Sequence, residues 1–283
     1  MPDTVIGSAR SRGRNRPLWH APGLVLSLFV LVIVVSWALV PNWWTTHDPV
    51  TGVPAERLLG PSSAHLFGTD ETGRDVFARV VHGAALSLQA TVIAVLVALV
   101  AGSLLGLVAG YRGGWADSAI MRVVDVLLAI PSILLSLALV TALGFGTTNV
   151  AIAVGVSRIA DFARLMRAET LRVRSSVYVE AARVSGLRWP GVLTRHVLPN
   201  AFGPVLVLGV LTFGTAVLEV SALSFLGFGA MPPAPEWGSL VSSGRGFLAT
   251  AWWLTTFPGL AIAAVVLAGN RVARAIDRET EHQ

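Results

Sequence analysis

Side chains able to do chemistry are few and sit mostly between apolar runs. Glu219 is a lone ion deep in one such run, and two readings of it stand open: it lines a pathway, or it caps a neighbouring arginine. Arg122 and Asp125 are spaced i,i+3 and are expected to neutralise one another as a structural pair. The acids Asp70, Glu71 and Asp75 lack the order of a calcium loop, so a capped turn is expected there. The six histidines show no H-E-x-x-H or similar ligand spacing, and no metal site is expected. Cysteine is absent, which excludes thiolate metal sites, iron–sulfur clusters and disulfides. Lysine is absent as well, since all 21 basic residues are arginine. A phosphate-binding loop ending in lysine is therefore excluded, and so is a Schiff base. If the protein uses ATP, another subunit binds it. No serine elbow and no pair of carboxylates on a soluble scaffold occurs, so the chain is not expected to be an enzyme.

The elements that must position these residues follow from composition. Hydrophobic residues make up 54% of the 283 and charged residues only 13%, too little charge to cover a soluble surface. An all-α integral membrane protein is expected, its bulk facing lipid. The net charge of +5 does not point to nucleic acid, because the arginines flank hydrophobic runs beside what would be membrane surface. A bilayer core of about 30 Å needs about 20 apolar residues per helix. Six spans are predicted, near residues 23–40, 86–110, 123–143, 148–168, 201–223 and 252–270. Ser36-Trp37-Ala38 has the small-x-small form of a signal-peptide cleavage site. The apolar run is long, however, a tryptophan interrupts the triplet and more spans follow, so a retained helix is expected. Pro131 predicts a kink in the third span. The fourth carries Arg158, Asp161 and Arg164 and reads as one long helix that leaves the membrane, with Arg158 and Asp161 able to pair. Ala98, Gly102, Gly106 and Gly110 recur every four residues, a face that lets helices approach closely, either within the chain or against a partner.

Arginine placement sets the expected orientation. The N-terminal arm with Arg10, Arg12, Arg14 and Arg16, the turn after Tyr111, residues 158–200 and the C-terminal tail hold four, two, eight and three arginines, seventeen together. The intervening segments hold only Arg57, Arg74, Arg79 and Arg245. Such a bias places both termini in the cytoplasm. Residues 41–81 would then lie outside, with Trp43 and Trp44 as interfacial anchors. The expected division is residues 1–83 (arm, first span, outer segment), 84–275 (core with a cytoplasmic loop near 164–200) and 276–283 (tail).

That inner loop carries the strongest local signals. Gly186 follows a helical stretch ending near Val184, as a glycine just past a helix does. Pro190 suits the first turn of a second short helix, which Pro199 would end. Ala181 and Ala182 keep the first helix small-sided, so a neighbour's groove can approach its backbone. On spacing alone, a docking knob and an ordinary loop meeting anionic lipid are equally open.

The residues themselves resemble a known family. Glu180-Ala181-Ala182, Gly186 and Leu198-Pro199 match the pattern E-A-A-x3-G-x9-I-x-L-P of bacterial binding-protein-dependent ABC importers. His196 replaces the isoleucine, and His196-Val197-Leu198-Pro199-Asn200 is similar to the dipeptide/oligopeptide/nickel branch. Gly68-Thr69-Asp70 with Gly73-Arg74-Asp75 resembles that branch's "LGTDxxGRD", and the third span resembles its "R-x2-D-x5-P-S" in Arg122, Asp125, Pro131 and Ser132. The run from Leu223 to Gly238 resembles "LSFLGxGxxPPxxEWG". The tail, residues 271–278, is shorter than the family's.

The resemblance implies a type I importer (MetI-like) permease fold in the bacterial plasma membrane. It implies a homologous second permease, two ATPase subunits carrying the ATP and magnesium, and an extracytoplasmic binding protein. Glu180, Ala181, Ala182 and Gly186, with His196, Leu198 and Pro199, would form the ATPase-coupling loop. Peptide is the first cargo implied, and nickel or another small solute enters through the same branch. An ion-gradient-driven transporter is the rival of another class. It would want intramembrane acids in duplicated halves, and only Glu219 is present.

Overall fold

The structure, a computed structural model, describes residues 22–280, with side chains for residues 22–276. The basic arm with Arg10, Arg12, Arg14 and Arg16 and the end of the tail lie outside the described residues. Among the described residues the regular structure is helical, apart from one isolated bridge between Thr69 and Asp75, with irregular segments before Val76 and between Phe225 and Trp237. The helices are α1 (Pro22–Leu39), α2 (Val76–Arg112), α3 (Gly114–Leu128), α4 (Ser132–Leu143), α5 (Thr147–Arg174), α6 (Val177–Val184), α7 (Trp189–Val192), α8 (Leu198–Phe225), α9 (Trp237–Gly244) and α10 (Trp253–Thr280).

Four helical runs are long and apolar enough to cross a bilayer: α1, α2, the run Trp189–Phe225 and Trp253–Ile276 of α10. The pair α3 and α4 passes together as a fifth, but with a bend of 96° between them. The expected third span is thus not a kinked through-running helix. Pro131 has no N–H to offer and disfavours helical backbone at Ile130, and the chain turns rather than bends. α5 is continuous over 28 residues, about 42 Å, yet its charges keep it off the apolar count. α2 begins at Val76 rather than near residue 86, so the expected boundary between 83 and 84 falls inside a helix.

Pro199 does not end its helix. α7 passes through a π turn, Leu193–Val197, into α8, with the Leu198 N–H donating to the Leu193 carbonyl. A proline cannot donate to the carbonyl four residues back, and widening the helix by one residue absorbs that missing bond.

α2 and α5 form the tight centre of the bundle. A Cβ on Gly102 would lie 2.6 Å from the Ile159 carbonyl oxygen, and one on Gly106 would lie 2.3 Å from that of Ala163. One on Gly110 would lie 2.9 Å from the Arg167 carbonyl, and one on Gly155 of α5 would lie 2.7 Å from the Ala94 carbonyl. The small-residue face therefore packs within the chain, and the alternative of a partner contact there is overturned. Backbone cannot yield as a flexible side chain can. Gly106→Leu is expected to cost about 3 kcal/mol or more by overpacking, seen as loss of folded protein in detergent, whereas Val108→Leu on the exposed face leaves the yield unchanged.

The segment between α1 and α2 is built on the predicted capped turn. The Asp70 carboxylate accepts from the Thr72 and Arg74 N–H groups at 2.8 and 3.0 Å and from Arg74 Nε at 2.7 Å. Burial opposes its charged form, but these bonds outweigh it and hold the carboxyl below its ordinary value. Asp75 caps α2, its Oδ1 accepting from the Ala78 N–H at 2.7 Å. Trp253 Nε1 donates to the Thr69 carbonyl at 3.1 Å, which ties the turn to α10. The glutamate of the Glu236-Trp237-Gly238 run is fully buried and caps α9 through the Gly238 and Ser239 N–H groups. Trp237 Nε1 donates to the Val80 carbonyl of α2 at 2.8 Å.

Candidate functional site

α6 and α7 make a helical hairpin at the end of the bundle where α2 stops. Its turn follows from local chemistry. The Gly186 N–H donates to the Arg183 carbonyl at 3.0 Å and the Leu187 N–H to the Ala182 carbonyl at 3.2 Å, the paired bonds of a Schellman motif. Gly186 has φ +84°, which a residue with a Cβ enters only at a cost. Trp189 and Pro190 then start α7, with proline in the first turn where its missing N–H is not needed.

The hairpin is held from below and bare above. Val179 and Val192 are fully buried against Leu107, Phe162, Met166 and Val173, each burial worth roughly 1.5 kcal/mol. Tyr111 Oη donates to the Trp189 carbonyl at 3.2 Å. Arg174 Nη1 donates to the carbonyls of Gly110 and Tyr111 at 3.2 and 2.8 Å, capping α2. The guanidinium groups of Arg174 and Arg183 each lie 5.9 Å from the Tyr111 ring. Every residue from Arg183 to Pro190 is exposed. Val177, Val184 and Trp189 are exposed by 82%, 85% and 64%, an apolar surface on a fixed support. Such a patch marks an interaction site.

Glu180, Ala181, Ala182 and Gly186 gather on this hairpin: Glu180, Ala181 and Gly186 are exposed and Ala182 is half-buried. His196, Leu198 and Pro199 do not join them. They belong to the π turn and the start of α8, the stem that carries the hairpin into the long helix. The His196 carbonyl accepts from Asn200 Nδ2 at 2.7 Å.

The second cluster lies between helices. Glu219 of α8 is not a lone ion: Arg158 of α5 binds it with both Nε and Nη2, the Nε bond being 3.2 Å. Ser132 Oγ at the start of α4 donates to it at 3.0 Å, and Asp161 faces Arg158 Nη1 at 3.5 Å. Of the two readings of Glu219, capping an arginine is the one observed. The network joins α4, α5 and α8 and involves both the serine after Pro131 and the charge that shortens the fourth apolar run.

The expected Arg122–Asp125 pair is overturned. Asp125 accepts from Arg164 Nη2 at 2.7 Å, and Asp117, two turns earlier on α3, accepts from Arg167 Nη2 at 2.6 Å. Carboxylates eight residues apart share a helix face, and that face meets arginines three apart on α5. Arg122 is exposed beside them. Sequence reasoning missed Tyr111 and Arg174 as hairpin supports. The signal was weak: an aromatic at a helix end and one arginine among many.

A model of the family described as "Binding-protein-dependent transport system inner membrane component" matches residues 102–282. The chain is 42% identical over 250 residues to the dipeptide transport system permease protein DppC of Alkalihalophilus pseudofirmus, covering 87% of this chain and 82% of that protein. It is 41% identical over 251 residues to the probable D,D-dipeptide transport system permease protein DdpC of Escherichia coli K12, covering 88% and 84%. It is also 41% identical over 246 residues to the glutathione transport system permease protein GsiD of Pectobacterium atrosepticum, covering 87% and 81%. Among solved structures, inward-facing MetNI methionine ABC transporter superposes with TM-score 0.52 at 20% identity, over 70% of this chain and 96% of that one. An amino acid ABC transporter crystallised with histidines gives 0.54 at 15% identity, over 71% and 94%. These distant structures carry the fold alone.

Proposed function

The chain belongs to the family of binding-protein-dependent transport system inner membrane components, and from that premise we propose that it couples ATP hydrolysis on separate chains to the import of di- and oligopeptides. It is a permease subunit of an ABC importer, and the cargo reading rests on relatives named for dipeptides and glutathione. A second, similar permease completes the pathway, two ATPase subunits bind ATP and magnesium, and an extracytoplasmic binding protein delivers the peptide. Both termini face the cytoplasm, with α5 and the bent α3–α4 pair counted among six spans.

The observation that carries this reading is the exposed apolar tip of the α6–α7 hairpin on a buried base. Two features make it a lever. Val179, Val192, Tyr111 and Arg174 fix it to α2 and α5, so force on the tip moves helices and does not merely bend a loop. Through the π turn it is also continuous with α8. When ATP closes the ATPase pair, two such hairpins are driven together and the bundle is switched between inward- and outward-facing states. The ion-gradient rival calls for an unpaired intramembrane carboxylate, and Glu219 is ion-paired with Arg158.

Affinity purification of the tagged chain from its native membrane is expected to bring down two ATPase subunits and a second permease. Proteoliposomes of that complex with its binding protein should take up labelled dipeptide only with ATP. A reporter fused after Gln283 should read cytoplasm, and one near Ser62 the exterior. Uptake by the isolated chain driven by an ion gradient would refute the coupling.

A further inference from the structure

Three segments remote from the hairpin bring His47, His65 and Asp75 together. Their ligand atoms all lie within 4.8 Å of one another, and theirs is the one such converging group among the described residues. The site sits at the start of α2, whose far end braces the hairpin about 55 Å away. We propose that these three residues bind a borderline divalent cation of the zinc class.

The donor set is the first argument. Two imidazoles and one carboxylate, with no thiolate in the chain, favour zinc, nickel or copper over magnesium or calcium. Three protein ligands and a water form a complete four-coordinate zinc site.

The second argument is how the ligands are held. His65 Nδ1 lies 2.8 Å from Asp75 Oδ2, so a single ion can touch both. Each is fixed by its other atom. Asp75 Oδ1 is bonded to the Ala78 N–H at the cap of α2. His65 Nε2 faces Glu56 at 3.5 Å, so an ion that displaces the proton between Nδ1 and Asp75 leaves a ring whose other nitrogen can carry its proton towards that carboxylate. Both side chains are buried, at 10% and 4% exposure, so the pair is preset.

The third argument is access. His47 is exposed, its ring 5.4 Å from that of His65, and it lines an open cleft of about 300 Å³ with Asn42, Thr45, Asp75 and Phe77. Tetrahedral ligands at about 2.1 Å stand about 3.4 Å apart, so a rotamer shift of His47 closes the site. The ion would tie the loop leaving α1 to the turn preceding α2 and stabilise the folded segment by mass action.

The test uses the whole transporter complex in nanodiscs, stripped with EDTA and titrated with zinc chloride by calorimetry, with magnesium chloride as control. Partner chains can hold zinc of their own, so the readout is the difference between wild type and His47→Ala. Because His47 is exposed, its loss leaves the fold intact. Wild type is expected to bind one zinc more per copy of this chain, and Glu56→Gln to weaken that zinc about tenfold. X-ray absorption of that ion should show nitrogen and oxygen neighbours near 2.0–2.1 Å including imidazole. Equal zinc stoichiometry in wild type and His47→Ala would overturn the proposal, as would a magnesium response equal to that of zinc.

Discussion

Gly186→Trp is expected to abolish peptide uptake and its coupled ATP turnover while the protein still inserts and folds. An added Cβ at Gly186 meets nothing within 4 Å, so a side chain there sets out into open space. That open space is where an ATPase groove must approach. The left-handed backbone, φ +84°, costs a side chain about 1 kcal/mol locally. The α6–α7 turn is exposed, so the strain stays in the turn. Gly186→Ala carries the same backbone cost with only a methyl group, and it separates bulk from strain. Uptake should fall at least about tenfold in the tryptophan variant, the effect of losing about 1.4 kcal/mol of docking, and far less in the alanine variant. ATPase co-purification should fall in parallel. Normal transport by a correctly inserted tryptophan variant removes the hairpin from the coupling path.

Glu219→Ala carries the second large effect, and it acts inside the bundle. Glu219 receives two bonds from Arg158 and one from Ser132, and its side chain is only 12% exposed. Removing it strips the guanidinium of both its close bonds and leaves only the more distant, partly exposed Asp161, a loss of about 3 kcal/mol. The folded yield in detergent is expected to collapse. The double variant Arg158→Met/Glu219→Met removes both charges at similar volume, and its stability should recover to within about 1–2 kcal/mol of wild type, because desolvating the ions is no longer needed. If the double variant is as unstable as Glu219→Ala, the pair is not what holds α5 to α8. Transport by a stable double variant reports separately whether the charges also serve the pathway.

Much of the hairpin was legible because its signals are local. A glycine past a helix, a proline in a first turn and two alanines act through bonds spanning a few residues, and Schellman geometry needs little from the rest of the fold. The capped turn at Asp70 was readable for the same reason. Pro199 shows where local rules mislead. Read alone it stops a helix, yet the buried Val197 and Ala201 on either side keep the helical path, and a π turn absorbs the missing bond. Pro131 misleads in the other direction. Its kink was foreseen, but a turn of 96° depends on where α5 lets α3 and α4 lie.

By itself, the sequence determined an all-helical membrane chain, the absence of a lysine-ended phosphate loop, and a short helix–turn–helix built on Gly186 and Pro190. Apolar run length, residue absence and turn chemistry each act within a few residues, so one chain read linearly contains them. Only the tertiary structure decided which charge meets which. Arg158 finds Glu219 across 61 positions and Arg164 takes Asp125 from Arg122, while the histidines at 47 and 65 converge on Asp75. In a low-dielectric interior an ion is tolerable only beside its counter-charge, and the partner is chosen by which helix faces pack together. The glycines of α2 permit that packing, but the backbone of α5 opposite them settles it.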